Sequence, residues 1–285
     1  MTPRSLVAEV QHLFSLPDVA MRLNALVDEP DASNRRIVEV LRLDAGLAAT
    51  VLRLANSAWY GLSNQVDDLG RAVTLIGHRA LRDLVLAVTF IRRFQDIPGQ
   101  LVNMKTFWDN SVACGVLARN LSLRCHPRDS EQMFLAGLLH KVGRLVFLTA
   151  RARDYRLVLA RAEDDSAPAL VAAEHRVFGF CHADVGSALL GFWRLPPLLQ
   201  EVVAQQYSSG RIGDYPRERA ILQVAGDMAH FLSPDIRLQP GAARYEPCFD
   251  EVVWMDLGLG PEDARAVLDL SLPQVYELTE IVNAR

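Results

Sequence analysis

The sequence predicts an all-α protein, and three observations carry that prediction. Apolar residues recur at three- and four-residue spacing along nearly the whole chain. No sustained apolar–polar alternation bounded by turn pairs such as Asn-Gly interrupts that period. Capping residues and helix-breaking Pro or Gly punctuate the periodic stretches at helix-sized intervals.

Taken in order, Ser15-Leu16-Pro17 predicts a helix start, because Pro costs nothing in a first turn, and that helix ends near Asp28. Asp28-Glu-Pro-Asp31 then breaks the period. Ser33 is expected to cap a helix through Leu43 and Asp44 the next through Ala58, their side-chain oxygens accepting otherwise orphaned backbone N–H groups. Asp68 to Ile76 gives a short helix stopped by Gly77, and Arg79 to Phe94 a longer one with Leu81, Leu84, Val85, Val88 and Ile91 on one stripe. Ile97-Pro-Gly-Gln100 marks an internal boundary, which sets an N-terminal helical subdomain at 1–98.

A second helical subdomain, 99–232, is predicted with helices around 105–122, 130–149, 153–163, 168–178, 182–192 and 196–206. Pro and Gly make loops of Ser208–Pro216 and Ser233–Cys248, so 233–285 reads as a loop and helical extension. In that extension Pro261 and two acids fall in a first turn, which suits the helix dipole. No repeat or low-complexity segment is present.

Composition narrows the function classes. A net charge of −4 over 285 residues supplies no electrostatic drive toward phosphate backbones, so a nucleic-acid partner is not expected. The helices 33–43 and 45–58 have the short corner of a helix-turn-helix, with Arg42 and Arg53 available. The second of them is nevertheless filled by Leu47, Val51, Leu52, Leu54 and Ala55, which leaves little to read base edges. Cys114, Cys125, Cys181 and Cys248 are scattered without a CxxC spacing and the N-terminus lacks a signal pattern, so a reducing cytoplasm is expected. The apolar window Leu81–Ile91 is interrupted by Arg82 and Asp83 and falls short of the roughly 20 residues a spanning helix needs, so no membrane contact is expected. No phosphate-binding loop, GxSxG elbow or HExxH motif occurs.

The stretch FLAGLLHKVGRLVF, Phe134 to Phe147, sets the functional question. His140 is followed by Lys141, one of only two lysines beside 28 arginines, where an Asp would make a metal-binding pair. Three readings of Lys141 stand: a solvated side chain snorkelling from the helix, an ammonium filling a former metal position, or a phosphate anchor helped by Arg144. Ala136, Gly137 and Gly143 lie near His140 on one helix face, where small residues let another backbone approach. The histidines at 12, 78, 126, 175 and 230 read as surface or capping residues.

Four ordered blocks between about 14 and 230 resemble the bacterial HDOD (HD-related output domain) family. They are Leu16-Pro17-Asp18-Val19 with Asp44-Ala-Gly-Leu47; VLRLANSAWYG, Val51 to Gly61, followed by AVTLIG; GLLHKVGRLVF; and HADVGSALLGFWRLP from His182. The resemblance implies that Asn56, Ser57, Tyr60 and Gly61 form a signature box and that the second subdomain is an HD-like helical bundle. On its own chemistry Asn56 reads as a corner lock at a helix end, with a partner surface beside an exposed Trp59 as the alternative. Active members of the wider HD phosphohydrolase superfamily gather His and Asp around one or two metal ions that generate a hydroxide.

Against that pattern Asn110 stands at a His position, His140-Lys141 at the His-Asp pair, His182 matches, and Gln205-Gln206 replaces a His-His pair. The final Asp falls at Gly226 or Asp227 by alignment. The resemblance therefore implies an incomplete ligand set, with no metal, no cofactor and no catalysis. It implies a signal-transduction output or adaptor module acting through protein contacts, with input from separate signalling proteins such as cyclic-di-GMP-turnover or receiver-domain proteins. The alternatives are a cyclic-dinucleotide sensor using the relic pocket and a residual metal-dependent phosphohydrolase.

Overall fold

The first helix shows how local chemistry sets the elements. Thr2 accepts from the Ser5 N–H while the Ser5 hydroxyl accepts from the Thr2 N–H, and this reciprocal cap starts α1 (Pro3–Val10). The computed structural model describes residues 1–29, 31–57, 59–60, 65–94, 101–125, 130–163, 166–209, 213–232, 249 and 251–283. Among these residues all regular structure is helical, as the periodicity predicts.

The N-terminal helices after α1 are α2 (Asp18–Val27), α3 (Asn34–Leu41), α4 (Ala45–Ala55), α5 (Leu69–Ile76) and α6 (His78–Phe94). Ser33, Asp44 and Asp68 each accept a first-turn N–H, and Gly77 ends α5 with a φ of 83°, a conformation that favours glycine. Ser15 does not cap α2: its hydroxyl turns back to the His12 carbonyl at 3.4 Å, and the helix starts at Asp18 behind Pro17. Helix α4 stops at Ala55 rather than Ala58, because the Asn56 side chain bonds the Leu52 carbonyl at 2.8 Å and closes the turn. The predicted boundary at Ile97–Gln100 lies outside the described residues.

The rest of the chain forms α7 (Met104–Cys125), α8 (Ser130–Leu139), α9 (Val142–Ala150), α10 (Ala152–Arg161), α11 (Ala167–Phe178), α12 (His182–Phe192), α13 (Pro197–Gln205), α14 (Pro216–Leu232), α15 (Glu251–Leu257) and α16 (Pro261–Asn283). The centre is α7, buried over most of its circumference and packed by α8, α14 and α16. Gly115 and Gly137 make the α7–α8 contact close. A Cβ at Gly137 would lie 2.6 Å from the Cys114 carbonyl oxygen, and one at Gly115 2.8 Å from that of Phe134.

Several helix contacts tie the N-terminal helices to this bundle among the described residues. Helix α6 packs on α8, and α1, which the sequence reading left out, lays Leu6, Val7 and Val10 against α12 and α9. Helix α16 returns across α7 and α4. Burying an aliphatic side chain contributes about 1.5–3 kcal/mol, and the apolar cores of the two helix groups are continuous, so these contacts join the groups into one folding unit.

The predicted single helix over 130–149 is two helices meeting at His140–Lys141. The whole stretch Ser130–Ala150 has the length and apolar composition of a membrane span, more so than Leu81–Ile91, yet it is mostly buried as a broken core pair. Arg82 and Asp83 are themselves buried in α6, bonded to each other at 2.9 Å, and burial pushes the Asp83 carboxyl up to about 6 against the pull of Arg82.

Candidate functional site: a lysine and two histidines

The break between α8 and α9 creates the site. With α8 ending at Leu139, the His140 ring folds back so that Nδ1 lies 2.6 Å from the Gly137 carbonyl. A carbonyl only accepts, so Nδ1 carries the proton. Burial, together with the nearby Lys141 ammonium, pushes the His140 pKa well below its ordinary value, and the ring is neutral. Its Nε2 is then a bare acceptor, buried and without a partner among the described residues.

Lys141 is not the solvated side chain expected of a continuous helix. Its backbone leaves helical geometry at the break, and its Nζ turns inward to donate to Asn110 Oδ1 at 2.6 Å. Asn110 is buried in α7 and is held from its other end by donating to the Ala229 carbonyl at 2.9 Å. Burial, with some repulsion from Arg144, pushes the Lys141 pKa down from 10.5 to about 8.

Helix α9 can lie against α12 here because Gly143 has no side chain: a Cβ there would be 2.0 Å from the His182 carbonyl oxygen and 2.6 Å from the Gly186 nitrogen. That contact brings His182 beside His140. His182 Nδ1 meets Glu174 Oε2 at 2.7 Å, its backbone N–H donates to the same oxygen at 2.8 Å, and its Nε2 meets the Tyr207 hydroxyl at 2.9 Å. Tyr155 donates to the other Glu174 oxygen at 2.6 Å, and Arg144 Nε lies 3.3 Å from that Tyr155 hydroxyl. Burial alone would raise the Glu174 carboxyl, but His182 and the bonds from His182 and Tyr155 outweigh it and hold it below the ordinary range. A carboxylate on one imidazole nitrogen is the usual partner of a metal on the other; at His182 a phenol stands where the metal would be.

These groups form one end of a cavity of about 680 Å³ between α9, α11, α14 and α15. His140, Lys141, His182, Gln206, Gly226 and Asp227 line it, so most of the predicted relic positions are brought together. Gln206 also donates to the His140 carbonyl at 2.9 Å, fixing the break from the α13 side. Gln205 does not line the cavity; it faces the turn at Gly213. His230, read as a surface or capping residue, is exposed and also borders the cavity. Among the described residues the sole grouping of three His, Cys, Asp or Glu ligand atoms within 4.8 Å is elsewhere, at His175, Cys181 and Asp184. His140, His182 and Asp227 do not form such a group.

The signature box is also placed. Asn56 donates to the Val66 carbonyl and accepts from the Val66 N–H, both at 2.7 Å, so one side chain closes the chain between α4 and α5. Ser57 donates to the Leu54 carbonyl at 2.7 Å. Trp59 is buried, 3% exposed, under the Arg119 guanidinium and against Phe134, which fits the corner-lock reading and overturns the alternative of an exposed partner surface there. Tyr60 is half-buried, and Gly61 lies outside the described residues.

The family model of the HDOD domain matches residues 13–209. The chain belongs to the HDOD family. Its fold is shared with the HDOD domain protein of Geobacter sulfurreducens, at 23% identity and a TM-score of 0.73, covering 99% of this chain and 98% of that one. A provisionally named phosphohydrolase of Shewanella amazonensis SB2B is similar at 22% identity and a TM-score of 0.76, with 97% of each chain covered. A provisionally named signal transduction protein of Marinobacter aquaeolei VT8 is similar at 21% identity and a TM-score of 0.69, covering 95% of this chain and 60% of that one. An uncharacterized protein of Treponema pallidum (strain Nichols) is 26% identical over 194 residues, and the match spans 37% of that relative's length.

Within this HDOD chain, the residues that sequence reasoning missed are Glu174, Tyr155 and Tyr207. One signal was present. Leu170, Ala173, Glu174 and Val177 fall at helical spacing, which places an acid on the apolar face of α11, where a buried carboxylate needs partners.

Proposed function

We propose that the chain is a non-enzymatic signal-transduction output module that acts through protein contacts, with its HD-type site closed by its own lysine. The observation that supports this reading best is the 2.6 Å bond from Lys141 Nζ to Asn110 Oδ1. An ammonium at that place repels a divalent ion, and a neutral amide oxygen is a poor transition-metal ligand. Without a metal, nothing there lowers the pKa of a water to make a hydroxide at neutral pH. The polar network Arg144–Tyr155–Glu174–His182–Tyr207 then works as a rigid joint between α9, α11 and α12. The provisional name of the Marinobacter relative also favours signalling. The partners we expect are cytoplasmic signalling proteins, including receiver-domain or cyclic-di-GMP-turnover proteins.

The test is hydrolysis of bis(p-nitrophenyl) phosphate and of cyclic dinucleotides with added Mn²⁺, Fe²⁺, Ni²⁺ or Zn²⁺. The expected result is no turnover above that of the metal alone. Turnover that disappears in His140→Ala would make the protein an enzyme and overturn the proposal.

A further inference from the structure

A cavity of about 680 Å³ is within the range of small-molecule sites, and its lining combines two kinds of chemistry. Two cations line it: Lys141, whose ammonium keeps N–H groups beyond the one used on Asn110, and Arg144, whose Nε alone is engaged among the described residues. Beside them His140 Nε2 is an acceptor with no partner, on a side chain 2% exposed. A buried polar atom left unsatisfied costs free energy, so it calls for a donor from whatever enters. The lining also carries apolar groups: Leu170 and Val171 from α11, Leu222 from α14, Val253 from α15, and the ring of Phe249. The occupant must therefore carry an anionic group, a hydroxyl or N–H donor close to it, and a flat or apolar body.

We propose that this cavity binds a nucleoside monophosphate without cleaving it, phosphate toward Lys141 and Arg144, a ribose hydroxyl toward His140 Nε2, and base between α11 and α15. A long-chain carboxylate meets the first and third requirements but brings no donor for His140, and a bare phosphate leaves the apolar walls in water. The inference rests on the reading of a site without metal, because here two protein cations replace the metal as the phosphate's partner. Gly226 offers an independent handle: it lines the cavity, and a Cβ there meets nothing within 4 Å.

The experiment is calorimetric titration of the full chain with AMP and GMP, and with adenosine, inorganic phosphate, cyclic di-GMP and dodecanoate as comparisons. Phosphorus NMR of the same samples follows cleavage. The expected result is that a monophosphate binds at least about tenfold more tightly than its nucleoside or than phosphate, since each charge-assisted contact is worth about that factor. Lys141→Met is expected to lose about tenfold in affinity. Gly226→Leu puts bulk into the cavity without removing either cation and is expected to abolish binding while the protein stays folded by circular dichroism. No binding of either monophosphate up to millimolar concentration overturns this inference and leaves the proposed function standing. So does binding that Gly226→Leu leaves intact, and so does a preference for dodecanoate or for cyclic di-GMP. Release of inorganic phosphate during the titration overturns this inference and the proposed function together.

Discussion

Replacing Lys141 by Met keeps the length of the side chain and removes its charge, so the variant isolates the cost of burying an ammonium in this pocket. The pKa of Lys141, pushed from 10.5 in the unfolded chain to about 8 in the fold, corresponds to about 3 kcal/mol of destabilisation at neutral pH. The sign follows from proton binding. Below about pH 8 both states hold the proton and the full penalty is present; as pH rises from about 8 to 10.5 the folded state releases it first, and the penalty fades. Met also strands Asn110 Oδ1, which costs about 1–3 kcal/mol at every pH. At pH 7 the two effects nearly cancel or favour the variant. At pH 9.5 about 2 kcal/mol of the lysine penalty has gone, and the balance moves against the variant by that amount. Neighbouring charges on Arg144 and Asp227 are common to both proteins, as is the Cys114 thiol, which burial pushes up to about 12 and keeps protonated over this window. The assay is urea unfolding of both proteins at pH 7 and pH 9.5. A stability difference that shifts by less than about 0.5 kcal/mol between the two would refute the reasoning, because it would mean that Lys141 titrates as an ordinary solvated lysine.

Further outcomes follow from single contacts. Asn56→Ala removes three hydrogen bonds that close the α4–α5 connection, and calorimetric unfolding should show a loss of about 1–3 kcal/mol. Gly143→Ala drives a methyl group into the His182 carbonyl and is expected to cost about 3 kcal/mol or more in urea unfolding, whereas Gly226→Ala, facing open space inside α14, should stabilise by up to about 1 kcal/mol. Glu174→Gln leaves either His182 or Tyr155 facing an amide N–H and should cost about 1–3 kcal/mol at pH 7. That cost shrinks as pH falls below 4.5, because the folded-state carboxyl, held below its ordinary value, loses its advantage as it is protonated.

Local chemistry was legible in the sequence, and tertiary decisions were not. Ser33, Asp44, Asp68 and Gly77 act at the ends of their own helices, so their roles follow from a few neighbouring residues. Helix α1 is short, and its apolar face acquires meaning only from α12, more than 170 residues later. The apolar run from Ser130 to Ala150 satisfies the helical period throughout, and its break at His140–Lys141 is imposed by the inward turn of Lys141 and the seating of Gly143 on His182. The neighbours of Trp59 in sequence do not decide whether its ring is exposed, because the groups that cover it, Arg119 and Phe134, come from α7 and α8. His140, Lys141, His182 and Gln206 were readable because the family motif spaces them, while Tyr155 and Tyr207, which complete the network, carry no motif.

The most direct test of the central claim is the metal content of protein purified without chelators or a metal-binding tag, measured by elemental mass spectrometry. A site held by Lys141 and Asn110 predicts far less than one iron, manganese, nickel or zinc per chain, and any trace should survive the double variant His140→Ala, His182→Ala. Near-stoichiometric metal that disappears in that double variant would show that the two histidines still serve a working metal centre, and would contradict the account.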